Sequence, residues 1–399
     1  MSENPRVIIL NQMAGPMTWE LAEDLSQRWG RIAMLTGHPD TLAKGSQGHL
    51  ELYPSVAYRR GSLVRRFGTW FRYAVHAFFW LWRWPRDVPL LVFSNPPLGL
   101  WLAWLMRKLR GTRYAVMVHD IYPDVAIRLG RVSERSLIAR LWRWLNRLGY
   151  TNAEVVMTLG EQMKTVLDAQ FDASRTPAGR VEVIPPWCDT TRIHPRDKRD
   201  NPFAQEYQQV DKLTVMYSGN MGLGHDLETM VAAADSLRHD NRCHFLFIGD
   251  GPKWQVVHSL LARNELTNAT LLGWQPESQI PWTLACADVA MVSLEREMAG
   301  LAIPSKAFYS LAAGTPLIVL CESQTELGQL VTAHGCGWQL EPGNTQGFTM
   351  VLEQLLDDPL ELQRRREASR RVSELIGARD SNSPRIEQLL RQYLEPSGG

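Results

Sequence analysis

The chain is 399 residues long, more than one hydrophobic core usually serves, so two domains of ordinary size are expected. Its 43 Lys plus Arg against 42 Asp plus Glu leave a formal charge of +1, which points away from nucleic acid and from a strongly acidic partner. The five cysteines (Cys188, Cys243, Cys286, Cys321 and Cys336) are odd in number and show no Cys-x-x-Cys spacing, which argues against a disulfide framework or a zinc knuckle and fits buried thiols in a reducing compartment.

Taken in chain order, Met1 to Arg6 is polar and lacks the charged region, apolar stretch and cleavage site of a signal peptide, so a cytoplasmic protein is expected. Apolar strand-like runs then alternate with helical patterns. Val7 to Leu10 is followed by a helix over Trp19 to Arg28 and a strand at Ile32 to Leu35; later strands read at Leu90 to Ser94, Tyr114 to Val118, Glu154 to Leu159 and Val181 to Ile184. This is the α/β pattern of a parallel sheet covered on both faces. After Pro185-Pro186 the chain turns polar and irregular as far as Asp211, as interdomain linkers do. A second alternation follows, with strands at Leu213 to Ser218, His244 to Gly249, Ala269 to Leu272, Val289 to Ser293 and Leu317 to Cys321, and helices from Pro359 to Leu394 close the chain. The expected division is a domain over residues 1–200, a second over 201–375, and a terminal helix over 376–399 that packs back on the first.

Four motifs sit at strand ends, where open parallel sheets bind ligands. Tyr217-Ser218-Gly219-Asn220-Met221-Gly222-Leu223-Gly224-His225 precedes a helix expected from Asp226 to Leu237. Its glycines let backbone approach a ligand, and the helix amides suit a diphosphate; an unliganded turn would use the same glycines. The spacing is Gly-x-x-Gly-x-Gly and not Gly-x-Gly-x-x-Gly, which disfavours a dinucleotide cofactor. Gly249-Asp250-Gly251-Pro252 repeats the arrangement, as a second ligand turn or a tight turn only. Glu295 to Lys306 joins a strand to a helix over Lys306 to Ala313, with Ser305 as the expected N-cap. Lys306 adds a positive charge to the positive end of the helix, which fits an anionic partner, the other reading being a solvated surface lysine. His119-Asp120-Ile121-Tyr122-Pro123-Asp124 places a His and a carboxylate at the end of a strand, able to orient or deprotonate a hydroxyl, although Asp120 would serve equally as a helix N-cap. There is no Asp-x-Asp triplet and no His or Cys cluster with ligand spacing, so no catalytic metal is expected.

Residues 56–86 hold seven arginines and ten aromatics without a single acid. Phe67, Trp70, Phe71, Ala74, Phe78 and Trp82 fall at helical spacing, which predicts an aromatic face laid into the headgroup boundary while arginines meet anionic lipid. A core helix with a basic rim, or stacking on single-stranded nucleic acid, would use similar residues; the near-zero net charge weighs against the latter. Residues 98–110, ending in Arg107-Lys108-Leu109-Arg110, extend the same surface. No apolar run reaches the length needed to span a bilayer.

The succession Tyr217-Ser218-Gly219-Asn220, Gly249-Asp250-Gly251-Pro252, Leu272-Gly273-Trp274 and Pro304-Ser305-Lys306 through Gly314-Thr315-Pro316, with His119-Asp120 through Pro123, resembles the retaining family 4 glycosyltransferases, in the branch that builds exopolysaccharide, colanic acid and O-antigen repeats. The resemblance implies a GT-B fold of two Rossmann-like domains facing across a cleft, and transfer from a nucleoside diphosphate sugar to a lipid-linked or growing saccharide without an essential metal or cofactor. It implies donor contacts from Gly219, Asn220, Met221, Gly222, His225, Asp250, Gly251, Gly273, Trp274, Glu297, Gly300, Leu301, Ser305 and Lys306. His119, Asp120 and Lys306 take catalytic roles, and Gly15, Pro16 and Asn95 lie on the acceptor side. The family's Arg and Lys after the Ser-Gly turn stand here as Asn220 and His225, and Lys306 is assigned their charge. Its pair of glutamates eight apart is also absent: Ser305 follows Glu297 by eight, and Tyr309 stands where the second glutamate is expected. An epimerase acting on the donor alone, and a catalytically silent membrane-bound scaffold, are the rival readings.

Overall fold

A computed structural model describes residues 4–59, 63–171, 181–294 and 298–395. The chain divides into two compact units, Met1–Pro185 with Asp380–Gly399, and Pro186–Arg379. The division falls at the Pro185-Pro186 pair, ahead of the 200/201 boundary read from composition. The polar stretch after it belongs to the second unit, because Lys198 is tied to the start of that unit's sheet through the Lys212 carbonyl and the Thr214 hydroxyl, both at 2.8 Å.

The first unit runs β1 (Val7–Leu10), α1 (Pro16–Arg28), β2 (Ile32–Thr36), α2 (Pro39–Ala43), β3 (Leu50–Pro54), α3 (Leu63–Leu81), β4 (Leu90–Phe93), α4 (Leu98–Arg110), β5 (Tyr114–Val118), α5 (Asp124–Arg128), α6 (Leu137–Thr151), β6 (Val155–Thr158), α7 (Glu161–Asp168) and β7 (Val181–Val183). Its seven strands are ordered β3-β2-β1-β4-β5-β6-β7, and each pairing is parallel. β1, β2, β4, β5 and β6 are buried along their whole length, as strands covered by helices on both faces must be. α4 and α6 pack closely because Gly149 has no side chain: a Cβ there would sit 2.5 Å from Leu100 Cγ. Asn146 then fastens the pair, accepting from Trp101 Nε1 at 2.8 Å and donating to the Tyr122 carbonyl at 2.6 Å.

The second unit runs α8 (Pro202–Glu206), β8 (Leu213–Asn220), α9 (Glu228–Ser236), β9 (Cys243–Asp250), α10 (Trp254–Arg263), β10 (Ala269–Leu272), α11 (Ile280–Cys286), β11 (Val289–Ser293), α12 (Lys306–Ala312), β12 (Leu317–Leu320), α13 (Glu326–His334), β13 (Gly337–Leu340), α14 (Thr345–Asp357) and α15 (Pro359–Ile376). Its six strands are ordered β10-β9-β8-β11-β12-β13, again all parallel. The last helix, α16 (Arg379–Leu394), returns to the first unit, where Arg28 Nε meets Glu387 at 2.7 Å and Trp29 Nε1 donates to Glu395 at 2.7 Å. All five cysteines are free and buried, as their scatter predicts.

In both sheets the strand order reverses beside the first strand of the unit, between β1 and β4 and between β8 and β11. Crossover helices leave to opposite sides there, which opens a crevice at the carboxyl ends of those strands.

Candidate active site

In the second unit, β8 and β9 run in register as far as Gly219 opposite Gly249 and Asn220 opposite Asp250. Gly249 and Gly251 adopt φ of +137° and +147°. A Cβ on Gly249 would lie 1.9 Å from the Gly219 carbonyl oxygen, and one on Gly251 would lie 2.6 Å from that of Met221. These two glycines therefore answer first to the contact between neighbouring turns, a sharper reason than the ligand approach expected from sequence. Gly219, also at positive φ, faces differently: a Cβ there would meet only Lys306, at 3.6 Å from Cδ.

Lys306, at the start of α12, is brought to this turn by the adjacency of β11 and β8. Its Nζ donates to the Tyr217 hydroxyl at 2.8 Å and lies 4.0 Å from the centroid of that ring. Tyr217 in turn donates to the Asn220 carbonyl at 2.6 Å, so one buried phenol holds both the lysine and the turn. No carboxylate pairs with Lys306 among the described residues, and burial pushes its amine down to about 7. A half-buried ammonium with only a phenol for a partner among the described residues can take an anion.

His225 stands beside it at the switch point. Its Nδ1 lies 3.0 Å from the Ser293 carbonyl, and since a carbonyl only accepts, Nδ1 carries the proton. Burial, reinforced by the charge of Lys306, pushes His225 down to about 3, so it is neutral and offers Nε2 as an acceptor. It does not replace the cation that the family resemblance leads one to expect at this position. Lys253, which sequence reading passed over, donates to the His225 carbonyl at 2.7 Å but is paired with Glu228 at 3.0 Å.

Two expectations about helix starts are corrected. Helix α9 begins at Glu228, not Asp226, because the Asp226 carboxylate accepts from the Thr229 amide at 3.0 Å and occupies that helix start itself. Ser305 is not a side-chain cap: it lies in the helical region and makes no cap bond, while its carbonyl accepts from the Phe308 amide at 3.0 Å. Of the remaining expected donor-side residues, Gly300 (φ +69°) and buried Leu301 lie in the loop before α12, and Gly273 with exposed Trp274 follows the edge strand β10. Asp250 uses its carboxylate on the Gly251 amide at 2.7 Å. Gly222 packs against Asn220 and His225, and Met221, fully buried, joins the two turns through the Asp250 carbonyl at 2.8 Å. Glu297 lies outside the described residues.

In the first unit, His119 and Asp120 follow β5, and both backbone amides donate to Ser94 Oγ, at 3.0 and 3.2 Å. Burial pushes His119 down to about 4 and raises Asp120 to about 6, so at neutral pH the pair is a neutral imidazole and a carboxylate. Among the described residues, His119 Nε2, Asn95 Oδ1 and Gln12 Oε1 are buried without a hydrogen-bond partner. They lie after β5, β4 and β1; β1 and β4 flank this unit's switch point and β5 adjoins β4. Each is costly to bury alone, a cost that a polar ligand or a bridging water at these strand ends would relieve. Gly15 is the N-cap of α1 with Pro16 next, at the same edge, and no side chain blocks the space beside Gly15. Asn95 Nδ2 reaches Met13 Sδ at 3.5 Å.

Two doubly wound parallel units form the two-domain Rossmann-like GT-B framework. The comparisons agree with it. The family model described as a glycosyl transferase 4-like domain matches residues 14–187, and the one described as glycosyl transferases group 1 matches residues 212–358. The chain belongs to the family 4 glycosyltransferases and is a glycosyltransferase. It is 27% identical over 272 residues to a Pseudomonas aeruginosa protein named as glycosyltransferase WbjE, covering 68% of this chain and 67% of that one. It is 28% identical over 316 residues to an Escherichia coli K12 protein named as the colanic acid biosynthesis glycosyl transferase WcaI, covering 76% and 75%. Among solved structures, Anabaena HepE in complex with UDP-glucose superposes with a TM-score of 0.73 at 14% identity, over 97% of this chain and 99% of that one.

Proposed function

We propose that this enzyme transfers a sugar, with retention of anomeric configuration, from a nucleoside diphosphate sugar to a lipid-linked or growing saccharide acceptor in cell-surface polysaccharide synthesis. The observation that carries the donor assignment is Lys306, held on Tyr217 against Gly219 without a carboxylate partner among the described residues. The resemblance to HepE, whose structure contains UDP-glucose, and to WcaI, named for colanic acid synthesis, supports the same reading.

The residues supply the needed chemistry without an essential metal or cofactor. Lys306 meets charge that develops on the departing diphosphate in a partly desolvated setting, where such an interaction is strongest. Neutral His225 accepts a hydroxyl hydrogen bond at Nε2. In the first unit, the Asp120 carboxylate accepts from the acceptor hydroxyl, beside the neutral imidazole of His119.

The acceptor reading includes a peripheral seat on the inner face of the membrane, through residues 56–86 and 98–110. No helix of the described residues is long and apolar enough to cross a bilayer. Instead, α3 exposes Phe67, Phe71, Val75 and Phe79 along one stripe that Trp82, just past its end, continues, with Phe71 64% and Phe79 67% accessible, and α4 adds Leu105 and Leu109. This stripe differs from the face read from periodicity. Trp70 is buried, packed by Tyr58, Phe67 and Tyr122, while Ala74 and Phe78 are half-buried.

The test is donor binding and turnover in Lys306→Met, which keeps the side chain's length and removes its charge. Loss of both in a protein that melts normally supports the reading; wild-type turnover overturns it.

A further inference from the structure

Helix α6 has two apolar sides. Ala139, Trp142, Asn146, Gly149 and Tyr150 are buried, and its contact with α4 runs through Trp142 and Trp101, whose rings meet at 5.9 Å. Leu137, Ile138, Leu141 and Trp144 fall at helical spacing on another side and are exposed, Leu137 by 78% and Trp144 by 54%. Neither the core nor the site described above accounts for this second stripe.

The stripe does not stand alone. Among the described residues, every large hydrophobic side chain exposed in the first unit lies on α3, α4 or α6, or is Trp82 just past α3. These helices are the crossovers from β3 to β4, β4 to β5 and β5 to β6, which all advance in one direction along the sheet. Right-handed crossovers that advance together lie on one face of a sheet, so the three stripes belong to one layer. In the second unit the exposed apolar side chains are scattered instead, over α10, α14, the two ends of α15 and two loops.

Charge narrows what covers this layer. α3, α4 and α6 together carry nine Lys and Arg and no Asp or Glu, whereas the whole chain holds 43 against 42. On α6, Arg143 pairs with Asp124 at 2.6 Å and Arg147 lends Nε to the Gln170 carbonyl at 3.2 Å. Arg140 and Arg147 are exposed and form no ion pair among the described residues. A second copy would set the same basic helices against these, and the scattered apolar residues of the second unit make no patch to match them. An anionic bilayer meets both the apolar stripe and the arginines beside it.

We propose that α6 is a membrane-contact helix: Leu137, Ile138, Leu141 and Trp144 enter the headgroup boundary of an anionic bilayer, and the α3–α4–α6 layer rests on the lipid as one surface. The proposal rests on the membrane reading of α3 and adds to it an element of the acceptor site. The inner side of α6 holds the loop after β5, since Trp142 stacks on Tyr122 at 5.9 Å and Asn146 donates to the Tyr122 carbonyl at 2.6 Å. The loop that carries His119 and Asp120 is thereby fastened to a helix lying on the lipid.

The five native cysteines are buried, so one introduced at the surface takes a fluorophore that reports its surroundings. The full chain labelled at Leu141→Cys, with Gln27→Cys on the exposed side of α1 as control, is mixed with phosphatidylcholine vesicles that hold phosphatidylglycerol and a bilayer-embedded quencher. The expected result is a blue shift and quenching at 141, neither at 27, and loss of the 141 signal on phosphatidylcholine alone. Ile138→Ser, Leu141→Ser and Trp144→Ser together should weaken flotation by at least about tenfold without lowering the melting temperature. A protein that floats with the 141 label still in water, a label that responds equally to phosphatidylcholine alone, or a triple variant that floats like wild type overturns the proposal and leaves the α3 reading standing. Failure of the wild type to float on either vesicle overturns both. A 141 signal that rises with protein concentration without vesicles, together with a dimer mass in light scattering, gives the stripe to a second copy and overturns the assignment to lipid.

Discussion

If Lys306 holds the donor diphosphate, donor binding is linked to protonation of its amine, and the pH dependence of affinity follows. Burial pushes the free amine down to about 7, so much of it is already neutral just above that pH. A bound diphosphate favours the charged form and raises the value again, so binding draws in a proton. Above pH 7 each pH unit then removes up to about 1.4 kcal/mol of affinity, a factor of about ten, until the value of the complex is reached. Between pH 7 and 9 the limit is about a hundredfold; partial exposure of the amine screens part of it. The assay is calorimetric titration with the best-binding nucleoside diphosphate sugar, whose diphosphate has no titrating proton in this range. Wild-type protein should show affinity falling toward higher pH with proton uptake on binding, and Lys306→Met should bind more weakly at pH 7 with a flat profile. A Lys306→Met protein that keeps the wild-type pH slope would refute the assignment.

Other outcomes follow from the same geometry. Asp120, raised to about 6, must be ionised to accept a hydroxyl proton, so kcat/KM should fall about tenfold per unit below pH 6, and Asp120→Asn should lose about 10²–10⁴ in turnover with little change in melting. Tyr217→Phe removes the hydroxyl shared by Lys306 and the Asn220 carbonyl, and denaturant titration should show a loss of about 1 kcal/mol together with weaker donor binding. Gly249→Ala forces a Cβ onto the Gly219 carbonyl, and unfolding measurements should show a loss of about 3 kcal/mol or no soluble protein. Phe71, Phe79 and Trp82 changed together to Ser should abolish flotation on anionic vesicles without lowering the melting temperature, whereas Trp70→Ser, a core change, should lower it sharply.

The buried strands were legible because unbroken apolar runs such as Val7 to Leu10 and Leu317 to Leu320 admit few other readings. β3 and β13 were not, and both are edge strands. β3 reads Leu-Glu-Leu-Tyr-Pro, with Glu51 spent on an ion pair with Arg31 at 2.7 Å, and β13 begins with Gly337 and is largely half-buried, so neither shows the signal of a central strand. The site was legible as separate motifs only. Lys306 and Tyr217 are 89 positions apart and meet because β11 lies next to β8, an adjacency that one sequence does not state. The same limit hid the orphaned Gln12, which no motif marks. Helical spacing placed Trp70 on the lipid face, but spacing alone does not say which side of α3 its neighbours cover.

The most direct test follows label from each nucleoside diphosphate sugar into a lipid extract, with wild-type and Lys306→Met protein side by side. The account predicts that the wild type releases nucleoside diphosphate and transfers the sugar only when acceptor is present, with turnover lower by at least about 10² in the variant. Conversion of the donor without any acceptor, or equal transfer by both proteins, would contradict it.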